Sequence, residues 1–252
     1  MRYRRAFLAL LAVVLAAGCQ VQAVVTVTVE EDGSGTVSVA AQLDPEAVAE
    51  LPDLDGNGIS DAADLTKLVR VEDLQAAGWK VASKALKDQE GQPAGAQLTV
   101  TKRFGTPDEA EKILAELSAP SAGFRDLKIS RKSSFALTKY SFSGMVDLSG
   151  GLEAFGDEDL AKVLEGEPLG QDAAEIEQRY GKPLDQLMRL VVRVELPGGK
   201  KEVWQPKLGG DPVQMSASSS VRDRIVLGLG VLSLSCLIAL AVVLLTRRRS
   251  TS

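Results

Sequence analysis

Alternation of apolar and polar residues predicts β-strands in the first part of the chain. Residues 21–29 and 36–43 are rich in β-branched side chains and carry an apolar residue at every second position. The turn-forming segment Asp32-Gly33-Ser34-Gly35 lies between them, so the two stretches are predicted to form a hairpin. Residues 79–86 and 97–104 have the same strand character around a glycine-containing loop.

The clearest helix start lies at Thr106, which can cap a helix with Pro107 at its first position and Glu109 closing a capping box. Shorter helices are predicted at 45–51, 62–70, 72–77, 157–164 and 173–180, and further strands at 127–131, 135–148, 190–196, 203–204 and 213–217. A parity change along the second of these strands predicts a bulge near Thr138. The pattern predicts an α+β domain over 19–218, with a largely antiparallel sheet and helices packed on one side.

The N-terminal residues follow the pattern of a lipoprotein signal peptide. Arg2, Arg4 and Arg5 precede a short apolar run, which ends in Leu15-Ala16-Ala17-Gly18-Cys19. We therefore predict that residues 1–18 are removed and that Cys19 is lipidated. The alternative is an uncut signal anchor, which the short apolar run disfavours.

Residues 225–245 form an uncharged apolar run followed at once by three arginines. Its length is sufficient to span a bilayer, so it predicts a C-terminal transmembrane helix, with a buried core helix as the alternative. Residues 219–224 are then a linker and 246–252 a cytoplasmic tail. The two ends together predict a cell-membrane protein whose main domain lies outside the cytoplasm.

Composition limits the chemistry of that domain. The chain contains no histidine, and its two cysteines, Cys19 and Cys236, both lie in the predicted membrane segments. This disfavours an enzyme, because thiol and imidazole catalysis are excluded. The alternative is a hydrolase that uses the acidic residues Glu153, Asp157 and Asp159.

The net charge of the region between the predicted membrane segments limits which partners it can bind. Six of the 29 basic residues flank the predicted membrane segments, which leaves 23 basic against 34 acidic residues and a net charge of −11. So acidic a domain is not expected to bind nucleic acid.

The segment from Asp53 to Asp64 has the spacing of a calcium-binding loop. Its oxygen ligands would be Asp53, Asp55, Asn57, Asp61, Asp64 and the carbonyl of Ile59. Position 12 is aspartate rather than glutamate, and a solvated turn is the alternative interpretation. We favour Ca²⁺, because four carboxylates in so short a loop repel one another without a cation.

Several short motifs together resemble the LppM-type lipoproteins of actinobacteria. They are the lipobox running directly into Val21–Val29, the Asp32–Gly35 turn, Val146-Asp147-Leu148-Ser149-Gly150, Leu196-Pro197-Gly198 and Trp204. The resemblance implies an extracytoplasmic α+β domain that binds envelope lipids or glycolipids and has no assigned catalytic residues. We therefore expect a non-catalytic, membrane-anchored lipoprotein. A scaffold that docks an envelope protein is the alternative.

Overall fold

The computed structural model describes residues 21–49, 71–117, 123–134, 136–151 and 188–222, together with Pro183 and Ser233. The strands in these ranges are β1 Val21–Val29, β2 Gly35–Leu43, β3 Lys80–Lys87, β4 Pro93–Phe104, β5 Phe124–Ser134, β6 Leu137–Val146, β7 Met188–Leu196, β8 Lys200–Trp204 and β9 Val213–Arg222. The helices are α1 Pro45–Ala49, α2 Val71–Ala76 and α3 Pro107–Leu117.

Six strands form one twisted sheet in the order β3-β4-β2-β1-β7-β8. The predicted hairpin of β1 and β2 is confirmed, with Val25 opposite Val39 and Val27 opposite Val37. The two strands predicted around the glycine-containing loop are confirmed as β3 and β4, and they pair with each other. β1 and β7 run parallel, and the other neighbours in this sheet are antiparallel.

A second, antiparallel sheet has the order β5-β6-β9 and packs against one face of the first. Tyr140 and Phe142 of β6 are buried between the sheets, and the Tyr140 hydroxyl donates a hydrogen bond to the carbonyl oxygen of Glu31. Both sheets contribute to one hydrophobic core. The three described helices join the same core through buried Ala47, Leu74 and Ala110, so they pack on the side of the small sheet.

The predicted start of α3 is confirmed at atomic detail. The Thr106 hydroxyl accepts a hydrogen bond from the backbone N–H of Glu109 at 3.3 Å, as expected for a capping residue. The Glu109 carboxylate in turn accepts the N–H of Gly105 at 2.7 Å. This helix buries Ile113 and Leu114 in the core.

The predicted fold class is wrong. About 60% of the described residues lie in strands and 15% in three short helices, so the fold is mostly β rather than a sheet backed by helices. One cause is that a second sheet occupies the face that the helices were expected to cover.

Two local predictions also need correction. The linker predicted at 219–224 begins inside β9, which continues to Arg222. The bulge predicted near Thr138 lies instead in β5, between Arg125 and Lys128, where Asp126 has φ of 52°. The strand predicted from residue 135 is β6, which begins at Leu137.

The predicted transmembrane helix is not found among the residues that the structure describes. No helix in the described part of the chain is long and apolar enough to cross a membrane. Apart from Ser233, the predicted span 225–245 lies outside that part.

Candidate functional site

The outer face of the six-stranded sheet is the side that points away from the small sheet. Side chains along each strand alternate between the two faces of the sheet. Val25, Val27 and their counterparts on β2 and β4 are buried in the core, and the half-buried residues between them belong to the outer face. The described helices contribute their buried residues to the core on the other side of the sheet. The outer face is therefore the broad surface on which the fold displays side chains of β1, β2, β4 and β7.

Strand register arranges the outer face in rows that cross the sheet. The middle row is mostly apolar and consists of Ala82, Thr99, Ala40, Val24 and Val191. Val191 is only 5% exposed although it does not belong to the core between the sheets. The outer face thus holds an apolar side chain away from water.

Polar rows lie on both sides of the apolar row. One consists of Lys80, Thr101, Ser38, Thr26 and Arg193, and the other of Lys84, Gln97, Gln42, Gln22 and Arg189. The Thr101 hydroxyl donates to Ser38 Oγ at 3.3 Å, which confirms that side chains of neighbouring strands meet there. Each row presents neutral hydroxyl or amide groups in its centre and a basic side chain at either end. We call the three rows together the amphiphilic face.

An open cleft of about 270 Å³ adjoins this face where the parallel strands β1 and β7 end. Thr28, Glu195 and Lys201 line the cleft and belong to the same side of the sheet. The turn that closes it needs Gly198 and Gly199, whose φ angles are 81° and 78°, in the left-handed region that favours glycine.

The charges around the cleft are largely neutralised locally. Lys201 forms an ion pair with Glu195 at 2.9 Å, and Lys200 forms one with Glu202 at 2.6 Å. Hydrogen bonds from the Ser34 hydroxyl and then from its backbone N–H lower the pKa of Asp32, in the neighbouring turn, below its ordinary value of 3.8. Glu30 and Glu31 also line the cleft, so its lining holds three carboxylates against two ammonium groups and has a formal net charge of −1.

The residues predicted as sites from the sequence lie outside the described ranges. These are the lipidation site Cys19, the calcium-loop residues Asp53, Asp55, Asn57, Ile59, Asp61 and Asp64, and the acidic residues Glu153, Asp157 and Asp159. The amphiphilic face was not predicted. Alternation indicates that Thr26 and Ser38 lie on the polar side of the hairpin. It does not indicate that β7 pairs with β1 or which residues of the two strands are opposite each other.

One solved structure is weakly similar to the chain. No profile of a known family and no curated protein matches the chain. The folded domain of the LppM protein of Mycobacterium tuberculosis, solved by NMR, is similar at 14% identity with a TM-score of 0.38. The match covers 83% of this chain and 94% of that domain. Membership of the LppM-type family stays a prediction.

Proposed function

We propose that the protein is an envelope lipoprotein whose extracytoplasmic domain binds an envelope lipid or glycolipid without catalysing a reaction. The observation that carries the proposal is the amphiphilic face, on which an apolar row lies between two polar rows. An amphiphile has the same division into hydrocarbon and polar parts. Apolar surface contributes affinity through the hydrophobic effect, and the flanking groups contribute specificity through hydrogen bonds.

The polar rows suit a sugar or polar headgroup. Thr26, Ser38 and Thr101 carry hydroxyls that both donate and accept hydrogen bonds, and the glutamines of the other row do the same through their amides. A hydroxylated ligand therefore finds partners whichever way its own groups point. The amphiphilic face requires no change in the fold to offer them.

The predicted lipid anchor at Cys19 favours a ligand that resides in the membrane. β1 begins at Val21, two residues after Cys19, so lipidation of that cysteine would hold the sheet next to the bilayer. A fixed short tether raises the effective concentration of any ligand in the same leaflet. A soluble substrate gains nothing from this arrangement.

Composition favours binding over catalysis. A chain without histidine, and with cysteines only at 19 and 236, has no imidazole base and no thiol in its central domain. Hydrolysis would rest on carboxylates alone. We therefore assign the domain a binding role.

Native mass spectrometry of the full-length protein, extracted from membranes of its own organism, tests the proposal. We expect a reproducible lipid or glycolipid adduct. Ala40→Glu puts a carboxylate in the apolar row and should remove the adduct, because a charge is costly to bury against hydrocarbon. The matched control Ala85→Glu adds the same group to an exposed alanine of β3 on the other side of the large sheet and should leave the adduct in place.

Two outcomes contradict the proposal. A bare protein that instead carries one envelope protein stoichiometrically would favour the scaffold alternative. Equal loss of the adduct in Ala40→Glu and Ala85→Glu would show that the amphiphilic face is not the binding surface.

A further inference from the structure

The outer face of the small sheet carries a cluster of basic side chains. Lys132 of β5 lies directly opposite Lys139 of β6, and Arg222 of β9 is opposite Leu137, two residues before Lys139. Diagonal neighbours of this kind lie about 7–8 Å apart. Lys128 lies on the same side of β5, and all four basic residues are exposed.

The buried residues of the same strands show that these basic side chains point away from the core. Ile129, Tyr140, Phe142, Met215 and Ala217 are buried between the sheets, so the residues that alternate with them point outwards. Most of the other outward positions are serines, including Ser130, Ser141, Ser143, Ser216, Ser218 and Ser220, while the apolar Leu137 lies opposite Arg222. We call these six serines and the four basic residues the basic face.

No acidic residue occupies an outward position on the described part of these three strands, from Lys128 onwards. Within the described residues, neither Lys132 nor Lys139 forms an ion pair. Like charges directly opposite each other destabilise a sheet, so this pair has a cost that a bound anion would remove. The concentration of positive charge also contrasts with the net charge of −11 of the region between the predicted membrane segments.

The serines determine which kind of anion fits. The Oγ atoms of Ser130 and Ser141 lie 2.7 Å apart, so neighbouring hydroxyls already form hydrogen bonds across the sheet. Hydroxyls that donate and accept match sugar hydroxyls, and lysine ammonium groups match phosphate or carboxylate. The surface is three strands wide and open, which suits an extended chain better than a small enclosed molecule.

We propose that the basic face binds an anionic glycan of the cell envelope, a sugar chain that bears phosphate or carboxylate groups. This site lies on a different sheet from the amphiphilic face and does not depend on lipid binding there. A protein with both sites would connect the membrane surface to a charged polymer beyond it.

Binding of the full-length protein in neutral-lipid nanodiscs to immobilised polymers tests the proposal. The probes are dextran phosphate, polygalacturonate, unmodified dextran and polyglutamate. We expect the two anionic glycans to bind, with affinity falling about tenfold or more between 50 and 500 mM salt, because exposed charges are screened. Dextran should not bind, and polyglutamate should bind at least about tenfold more weakly because it lacks sugar hydroxyls.

Matched variants locate the site. Lys132→Gln with Lys139→Gln should weaken glycan binding about tenfold or more, since two of the four cations are lost. The fold should tolerate the change, because it relieves a like-charge contact. The control, Lys112→Gln with Lys207→Gln, removes the same charge from two exposed positions outside both faces and should leave binding within about twofold.

Four results would overturn the proposal. If unmodified dextran bound as tightly as the anionic glycans, the charge of the ligand would not matter. If polyglutamate bound as tightly as they do, the sugar hydroxyls of the glycans would not matter. Equal weakening by the control Lys112→Gln with Lys207→Gln would place the site elsewhere. Lysine-dependent binding to phosphatidylglycerol vesicles without any glycan binding would make the partner a membrane surface. None of these results bears on the lipid adduct, so the two proposals fail separately.

Discussion

The rings of Phe142 and Trp204 are stacked with their centroids 6.3 Å apart and their planes inclined by 30°. Phe142 belongs to the small sheet and Trp204 ends β8 at the edge of the large one. This contact therefore joins the two sheets across the core.

Removal of this contact should destabilise the whole described fold. Phe142 is fully buried, so we expect Phe142→Ala to lower the free energy of unfolding by about 3–5 kcal/mol through lost transfer energy and the cavity that remains. Urea unfolding followed by tryptophan fluorescence measures the change. Val203→Ala is the control, because Val203 is 48% exposed and its truncation should cost no more than about 0.5 kcal/mol. Equal losses in the two variants would show that the sheets are not held together here.

A second prediction concerns Glu116, where α3 meets the large sheet. Its carboxylate accepts hydrogen bonds from the Lys102 ammonium at 2.8 Å and from the Trp79 indole N–H at 3.0 Å. Trp79 is buried, so Glu116→Ala leaves its N–H without this acceptor and should cost about 1–3 kcal/mol. Lys201→Ala, which breaks the more exposed pair with Glu195, should cost about 0–1 kcal/mol. Thermal denaturation compares the two, and a larger loss for Lys201→Ala would contradict the assignment.

Some of this architecture was predictable and some was not, for definite physical reasons. The hairpin of β1 and β2 and the start of α3 depend on local sequence: strict alternation around a turn, and a capping residue before proline. The parallel pairing of β1 with β7 joins residues more than 160 positions apart, and no local pattern encodes that register. The predicted strand 213–217 is shorter than β9, because the serines of β9 resemble a linker. Only Met215 and Ala217 indicate its buried side.

The same limit explains why neither proposed surface was predicted. Thr26, Ser38 and Thr101 become neighbours only when three strands align, and Lys132 meets Lys139 only across the hairpin of β5 and β6. The charge of −11 suggested an acidic surface throughout. Strand register instead collects basic side chains on particular faces.

A third prediction concerns pH. The Ser149 hydroxyl, its backbone N–H and then the Arg125 guanidinium lower the pKa of Asp147 below the ordinary value of 3.8. A carboxyl whose pKa falls on folding stabilises the fold above its unfolded-state pKa, and this contribution is lost as pH falls through the folded-state value. Ser149→Ala should raise the pKa of Asp147 towards 3.8, measurable by NMR titration. Its destabilisation should be present at neutral pH and vanish at strongly acidic pH. A constant difference across the titration would contradict this.

A fourth prediction concerns the calcium loop. Calcium at millimolar concentrations should raise the melting temperature of the full-length protein, because a cation that binds only the folded state stabilises it by mass action. Extracellular modules of this type bind with dissociation constants of about 10⁻⁴–10⁻³ M. Asp55→Ala with Asp61→Ala should abolish the increase, while magnesium should give little of it because it demands a tighter octahedral geometry. An unmutated protein that calcium does not stabilise would mean that the loop is only a turn.

The last prediction is that Cys19 becomes the lipidated N-terminus, on which the tethering part of the proposed function rests. Signal peptidase of the lipoprotein type cuts directly before an acylated cysteine, so blocking either step leaves the 18-residue leader attached. Cells treated with globomycin, or expressing Cys19→Ala, should therefore accumulate a larger form visible by electrophoresis. Cys236→Ala is the control, since it removes the other cysteine and should leave processing intact. Mass spectrometry of the mature N-terminal peptide should show the acyl modification on Cys19. Unchanged mobility in both the treated and the mutant cells would mean that the leader is an uncut anchor, and that the sheet is held to the membrane without a lipid at its first strand.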